Sequence, residues 1–143
     1  MVTNEMIRRI PKVDLHDHLD GGVRPQTVIE LAGEYGVELP TDKPEKLAEW
    51  FLRGADRKNL GLYLEGFGIT TAIMQTKEAL ERIAYEAIID RKKDNIVYAE
   101  VRFAPVQHLH NGLNLESVVE AVLKGLEKGK KEWRPKKSKY TRG

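Results

Sequence analysis

Lys12-Val13-Asp14-Leu15-His16-Asp17-His18-Leu19-Asp20-Gly21-Gly22 sets two histidines two residues apart at the end of an apolar, β-like segment. Side chains along a strand alternate between faces, so His16 and His18 should point the same way and can meet one metal ion. Asp20 extends the alternation, and Gly21-Gly22 then frees the backbone to turn sharply at the mouth of whatever site the histidines make. A His-x-His pair closing a strand and running into Asp-Gly is the layout of a zinc hydrolase, and it is much more specific than His-x-His alone. The competing reading is a pair of core or loop histidines with satisfied hydrogen bonds.

Outward from this segment, the pattern alternates between strand and helix. Pro25 suits the first position of a helix, and Val28, Leu31, Ala32 and Tyr35 make one apolar stripe before Gly36 stops it. Asp42 can cap a short helix running through Glu45 to Leu52, with Leu47, Trp50 and Phe51 on its apolar side. Leu60, Leu64 and Phe67 follow at helical spacing, broken by Gly61, Gly66 and Gly68. The strongest helical pattern begins near Thr76, with Leu80, Ile83, Ala84, Ala87 and Ile88 on one stripe and Lys92-Lys93 complementing the dipole near its end. Asp94-Asn95 turns into a strand from Ile96 to Phe103. After a polar loop, Asn114 caps a last helix with Leu115, Val118, Val119, Val122, Leu123 and Leu126 on one face.

Three stretches carry a resemblance to a known family: Pro11 to Gly22, Arg24-Pro25, and Tyr98-Ala99-Glu100-Val101-Arg102-Phe103-Ala104-Pro105. Together they resemble the start of adenosine deaminase, a zinc-dependent purine nucleoside hydrolase built on a TIM barrel, over about residues 7 to 132. The resemblance implies an α/β fold, the N-terminal fragment of a TIM (β/α)8 barrel with two parallel barrel strands and surrounding helices. It implies one Zn2+, with His16 and His18 as neutral imidazole ligands, and a reaction that removes the 6-amino group of adenosine to give inosine and ammonia. Zinc is needed there because bulk water is too weak a nucleophile, and coordination lowers its pKa to about 7. Asp20 and Gly21 are the implied substrate-binding positions, Asp20 resembling the family residue that accepts a hydrogen bond from the ribose 5′-hydroxyl. Asp20 bracing its own turn is the plainer alternative. Related deaminases of free adenine tend to carry Glu where this chain has Asp20, which points toward a nucleoside; AMP and futalosine-type deaminases share the strand motif and stay open. The segment with Leu60, Leu64 and Phe67 flanks the pocket as an apolar lid in the family, with ordinary packing as the alternative.

Barrel strands face helices on one side and the barrel interior on the other. Val97, Ala99, Val101 and Phe103 should therefore meet helices while Glu100 and Arg102 point inward. The same alternation puts Val13 and Leu15 outward and Asp14, His16 and His18 inward. On that register Arg102 is expected to form an inner-face ion pair with Asp14 or Glu100, or with an acid from the missing part of the barrel, because an unpaired buried charge is strongly unfavourable.

A TIM barrel takes typically about 250 residues, whereas this chain has 143. In the family a third zinc-binding His, a general-acid Glu, another His, and a zinc-binding Asp followed by a second Asp lie later, and none can be placed here. Of the four histidines, His108 and His110 sit where the family has a variable loop. The catalytic acid–base residues are therefore unknown, and the chain by itself is expected to be inactive. The alternative from a different class is a non-catalytic β/α fragment that self-associates through its exposed strand edges.

Hydrophobic residues make up 41% and charged residues 32% of the chain, which suits a folded domain with a solvated surface. The absence of cysteine excludes disulfides and the His-Glu…Cys-x-x-Cys pattern of the cytidine-type zinc deaminases. No apolar run approaches the ~18 residues of a membrane span, and Met1 to Arg9 lacks a signal peptide's apolar core, so a cytoplasmic address without a membrane partner is expected. Arg134, Lys136, Lys137, Lys139 and Arg142 account for the net charge of +2, the remainder being about −3. Residues 1–133 read as a partial barrel domain and 134–143 as a basic, unstructured tail. Such charge runs are usually solvated ends, so a purine nucleoside and not nucleic acid is the expected partner.

Overall fold

Parallel pairing of two strands, β1 (Lys12–His18) and β2 (Ile96–Arg102), forms the centre of the computed structural model, which describes residues 2–56 and 60–132. The basic stretch 134–143 and the boundary at 133 lie outside the described residues. A short helix α1 (Asn4–Arg9), capped by the Thr3 side chain, precedes β1. Helices α2 (Pro25–Tyr35), α3 (Pro44–Asp56), α4 (Leu60–Ile73) and α5 (Lys77–Lys93) form the crossover to β2. A 3-10 turn, Pro105–His108, and helix α6 (Leu115–Glu132) follow. Among the described residues, no helix is long and apolar enough to cross a membrane.

Local chemistry explains most of these boundaries. Pro25 opens α2, and Gly36 ends it in the left-handed region at φ +68°. Thr76 caps α5 by accepting from Ala79 N, and Asn114 caps α6 by accepting from Ser117 N at 2.8 Å. Asn95, at φ +56°, makes the left-handed turn from α5 into β2, which asparagine tolerates better than most residues. Two expectations change. Pro44 opens α3, in place of an Asp42 cap, and the helix runs to Asp56; α4 is continuous through Gly61, Gly66 and Gly68.

The helices are tied by packing and by charge. Leu80, Ile83 and Ala84 of α5 are buried with Val118, Ala121 and Val122 of α6 and Val28 and Leu31 of α2. The buried stripe of α6 continues through Gly125 and Gly129, and Leu115, Val119 and Leu123, expected on that face, are exposed. A Cβ on Gly125 would lie 2.2 Å from the Glu81 carbonyl oxygen, and one on Gly129 would lie 2.6 Å from Ile88 Cβ. Only hydrogen at these positions lets the two helix backbones approach so closely. Between α2 and α5, Thr27 donates to the buried Glu86 carboxylate at 2.6 Å, and Arg24 grips Asp90 through two bonds of 2.6 and 2.7 Å.

The strand register departs from simple alternation. Val13 pairs with Tyr98 and Asp14 with Ala99, but the next partners are Asp17 with Val101 and His18 with Arg102. Between Asp14 and Asp17, β1 thus carries one residue more than β2, a β-bulge. β2 follows its expected phase only in its second half, with Val101 and Phe103 against the core; an extra residue in β2, between the pairs Lys12–Ile96 and Val13–Tyr98, leaves Val97, expected against the helices, 47% exposed. The first half of β1 is reversed from expectation: Val13 and Leu15 are 61% and 60% exposed, and Asp14 faces α5.

His108 is fully buried against Phe103, ring centroids 5.8 Å apart. Gln75 holds the segment that carries it, donating to the Gln107 carbonyl and accepting from His110 N at 3.0 Å. Burial lowers the His108 pKa below 6.5, outweighing the Asp20 carboxylate and the Met74 carbonyl, which favour its charged form.

Gly125→Ala is expected to cost about 1–3 kcal/mol in urea unfolding through overpacking of α5 against α6. Gly33→Ala, inside α2 with nothing within 4 Å of the added carbon, should instead gain about 0.5–1 kcal/mol. Because the folded His108 pKa lies below its unfolded value, its contribution is fully present above about pH 6.5 and is lost as pH falls through the folded value. Unfolding curves at neutral and mildly acidic pH should therefore show a smaller pH dependence in His108→Phe than in the parent.

Candidate functional site

The end of β1 brings together most of the residues singled out in its sequence. His16 and His18 share a face, their Nε2 atoms 3.4 Å apart and their ring centroids 5.4 Å apart. The strand then continues its pairing, Leu19 N donating to the Arg102 carbonyl, before Gly21 N turns back onto the His18 carbonyl at 3.0 Å. This turn buries Asp20, whose Oδ1 lies 3.6 Å from His18 Nδ1 and has no hydrogen-bond partner. Gly21 lets the Phe67 ring come close, since a Cβ there would sit 3.2 Å from Phe67 Cζ and 3.4 Å from His18 Cβ and the ring would have to shift slightly.

These residues open on a pocket of about 590 Å³, within the range of small-molecule sites. Its apolar wall is Trp50 and Phe51 of α3 and Phe67 of α4. Phe67 meets His18 edge-on at 6.3 Å between centroids, and Trp50 and Phe51 meet edge-to-face at 73°. Of the three expected lid residues, Phe67 lines the pocket, Leu64 is exposed and does not, and the side chain of Leu60 lies outside the described residues. Trp50 and Phe51 lie on the apolar side of α3, which the sequence does not mark as part of a site. Their amphipathic pattern marks the face of α3 but not what that face meets.

The expected ion pair between Asp14 and Arg102 does not form. Asp14 Oδ2 lies 3.6 Å from Arg91 Nη2 of α5, and the same guanidinium contacts Asp17. Arg102 is exposed on the opposite face. The bulge is the reason, because it leaves Asp14 on the helix-packed side while carrying His16 and His18 to the other. Arg91 had no assigned role, although Leu80, Ala84, Ala87 and Arg91 recur at helical spacing. A cation continuing an apolar stripe calls for a buried acid.

The nitrogen donors suit a tetrahedral ion. Two nitrogens held at the ~2.0–2.1 Å of zinc–histidine bonds stand about 3.3 Å apart, close to the 3.4 Å separation of the two Nε2 atoms. No group of three or more His, Cys, Asp or Glu able to hold a metal occurs among the described residues. The described residues therefore offer two converging nitrogens and no third donor grouped with them.

The chain is similar to known deaminases. An adenosine deaminase from Mycobacterium sp. (strain KMS) is 52% identical over 131 residues, covering 91% of this chain and 36% of the relative. Adenosine deaminase 1 of Streptomyces coelicolor is also 52% identical, over 91% of this chain and 33% of its own length. The chain thus spans about a third of the curated relatives it matches. Among solved structures, an N6-mAMP deaminase from Arabidopsis superposes with a TM-score of 0.68 at 29% identity, covering 86% of this chain and 36% of that one. An amidohydrolase from Burkholderia ambifaria with bound Zn superposes with a TM-score of 0.72 at 24% identity, covering 92% and 36%. These neighbours are TIM-barrel deaminases and amidohydrolases, and the two parallel strands and their helices are a fragment of that barrel. The profile of the adenosine deaminase family matches residues 11–137, and this chain belongs to that family.

Proposed function

We propose that this chain supplies the first two metal ligands and one wall of the substrate pocket of a zinc-dependent enzyme that hydrolyses adenosine to inosine and ammonia. The observation that carries the reading is the convergence of His16 and His18 Nε2, 3.4 Å apart on the wall of an apolar pocket. Zinc, when bound, supplies the Lewis acidity that makes water a nucleophile at neutral pH. The Zn-bound Burkholderia amidohydrolase and the curated adenosine deaminases support that choice of ion and substrate.

The remaining roles follow from the chain's own groups. His16 and His18 hold the ion as neutral imidazoles, with the edge of Phe67 limiting the swing of the His18 ring. Trp50, Phe51 and Phe67 give an aromatic wall for a purine plane and keep water from its faces. Asp20 presents a buried carboxylate oxygen without a partner. Leaving such an acceptor unsatisfied costs about 1–3 kcal/mol, which a ribose hydroxyl donating to it would recover. In this reading the roles of the residues in hand are to hold the ion and to orient the substrate.

Grafting residues 1–132 in place of the corresponding segment of the Mycobacterium enzyme provides the test. The hybrid should release ammonia from adenosine, and His16→Ala or His18→Ala should cost more than the roughly 10–100-fold typical of losing an outer partner of a metal ligand. Asp20→Ala should lower kcat/KM for adenosine by about 10- to 100-fold, the worth of one charge-assisted hydrogen bond, with little change for adenine. A zinc-loaded hybrid that prefers adenine would overturn the nucleoside assignment. The 143-residue chain supplied with zinc should yield no inosine, and turnover abolished by His16→Ala would contradict this.

A further inference from the structure

The bulge in β1 sets Asp14 and the two histidines on opposite faces of the strand. Had the register begun by Val13 opposite Tyr98 and Asp14 opposite Ala99 continued without the extra residue, His16 would stand opposite Val101. Both histidines would then point at the helices, since a slip of one residue exchanges the faces of a strand. The alternative phase is a genuine competitor, because it would send Leu15, now exposed, no further into water than it already lies.

Asp14 and Asp17 flank the bulge. Three residues apart, they would face opposite sides of a regular strand, and no single side chain on one face could reach both. In the bulged strand they lie on the same face, and one guanidinium meets the pair: Arg91 Nη2 contacts Asp17 Oδ2 and stands 3.6 Å from Asp14 Oδ2. The Arg91 side chain is 11% exposed, and its Nη1 donates to the Ala87 carbonyl at 2.9 Å, which fixes it to its own helix. Two carboxylates brought together repel, and the partly buried cation reverses the sign of that interaction.

We propose that Arg91 is a positioning residue for the metal site. By holding Asp14 and Asp17 together it selects the bulged register, and that register presents His16 and His18 to the pocket instead of to α5. The inference deepens the zinc reading, but the register it concerns can be observed without metal.

The full 143-residue chain and its Arg91→Ala, Arg91→Lys and Asp17→Asn variants would be compared by NMR. Cross-peaks between the His18 and Phe67 rings report the pocket-facing register in metal-free protein. Zinc titrations followed on the His16 and His18 ring resonances report donor convergence. Gly125→Ala serves as a control that loses stability far from the strand. Arg91→Ala should lose the cross-peaks and weaken zinc binding by about tenfold or more, with Arg91→Lys intermediate, because an ammonium cannot span both carboxylates as a fork. Gly125→Ala should keep both signals. Retention of the cross-peaks in Arg91→Ala, with zinc affinity within about twofold of the parent, overturns the proposal. Should Arg91→Ala fail to fold, Asp17→Asn carries the same two readouts. If zinc binding by the parent is indifferent to His16→Ala, the zinc reading falls, and the cross-peaks still decide the role of Arg91.

Discussion

Parallel pairing of β1 with β2, with one extra residue between Asp14 and Asp17, is the constraint on which the site depends. A strand offers only two faces, so its phase against the partner assigns every side chain at once. Here that phase turns His16 and His18 toward the pocket and gives Asp14 and Asp17 to Arg91. It also delivers Leu19 to the Arg102 carbonyl, which places the following turn and buries Asp20. A converging imidazole pair, a buried acceptor and an ion-pair cluster are consequences of one register.

Helix α5 couples this strand pair to the rest of the molecule. Along one helix, Glu86 and Asp90 hold α2 through Thr27 and Arg24, Arg91 reaches β1, and Ala84 and Ile88 receive the glycines of α6. The glycine contacts bring α6 close at the cost of helix propensity, which the shared core of Leu80, Ile83, Val118 and Val122 offsets. A change in α5 is felt on three sides, and the charged groups among these contacts carry the directional information that apolar packing lacks.

At the pocket, the two imidazoles form an arrangement that is poor without a ligand and good with one. Ring nitrogens 3.4 Å apart can share at most one proton between them, whereas a cation uses both lone pairs. Asp20 Oδ1 is in a similar condition, buried and without a partner. Such groups cost stability, and a fold retains them where binding restores what folding gave up. The wall formed by Trp50, Phe51 and Phe67 supplies the apolar part of the same bargain.

Composition and periodicity were enough to determine the alternation of elements, the start of α5 near Thr76, the cap at Asn114, the stop at Gly36, the phase of β2 from Ala99 to Phe103 and the shared face of His16 and His18, because each depends on neighbours within a few residues. Tertiary structure decided what depends on residues far apart in the chain. The bulge arises from the match of β1 to β2, separated by four helices, so the alternation of β1 read alone gave Asp14 to the wrong face and paired it with Arg102. Glu86 and His108 became buried, and Arg91 partly buried, through contacts with other elements, and their own sequence neighbourhoods carry only the trace of a polar residue on an apolar stripe. Trp50 and Phe51 became a pocket wall when α3 and α4 were set beside the end of β1. Periodicity tells which face of an element is apolar; only the packed chain tells what that face meets, since burial is a property of pairs of elements.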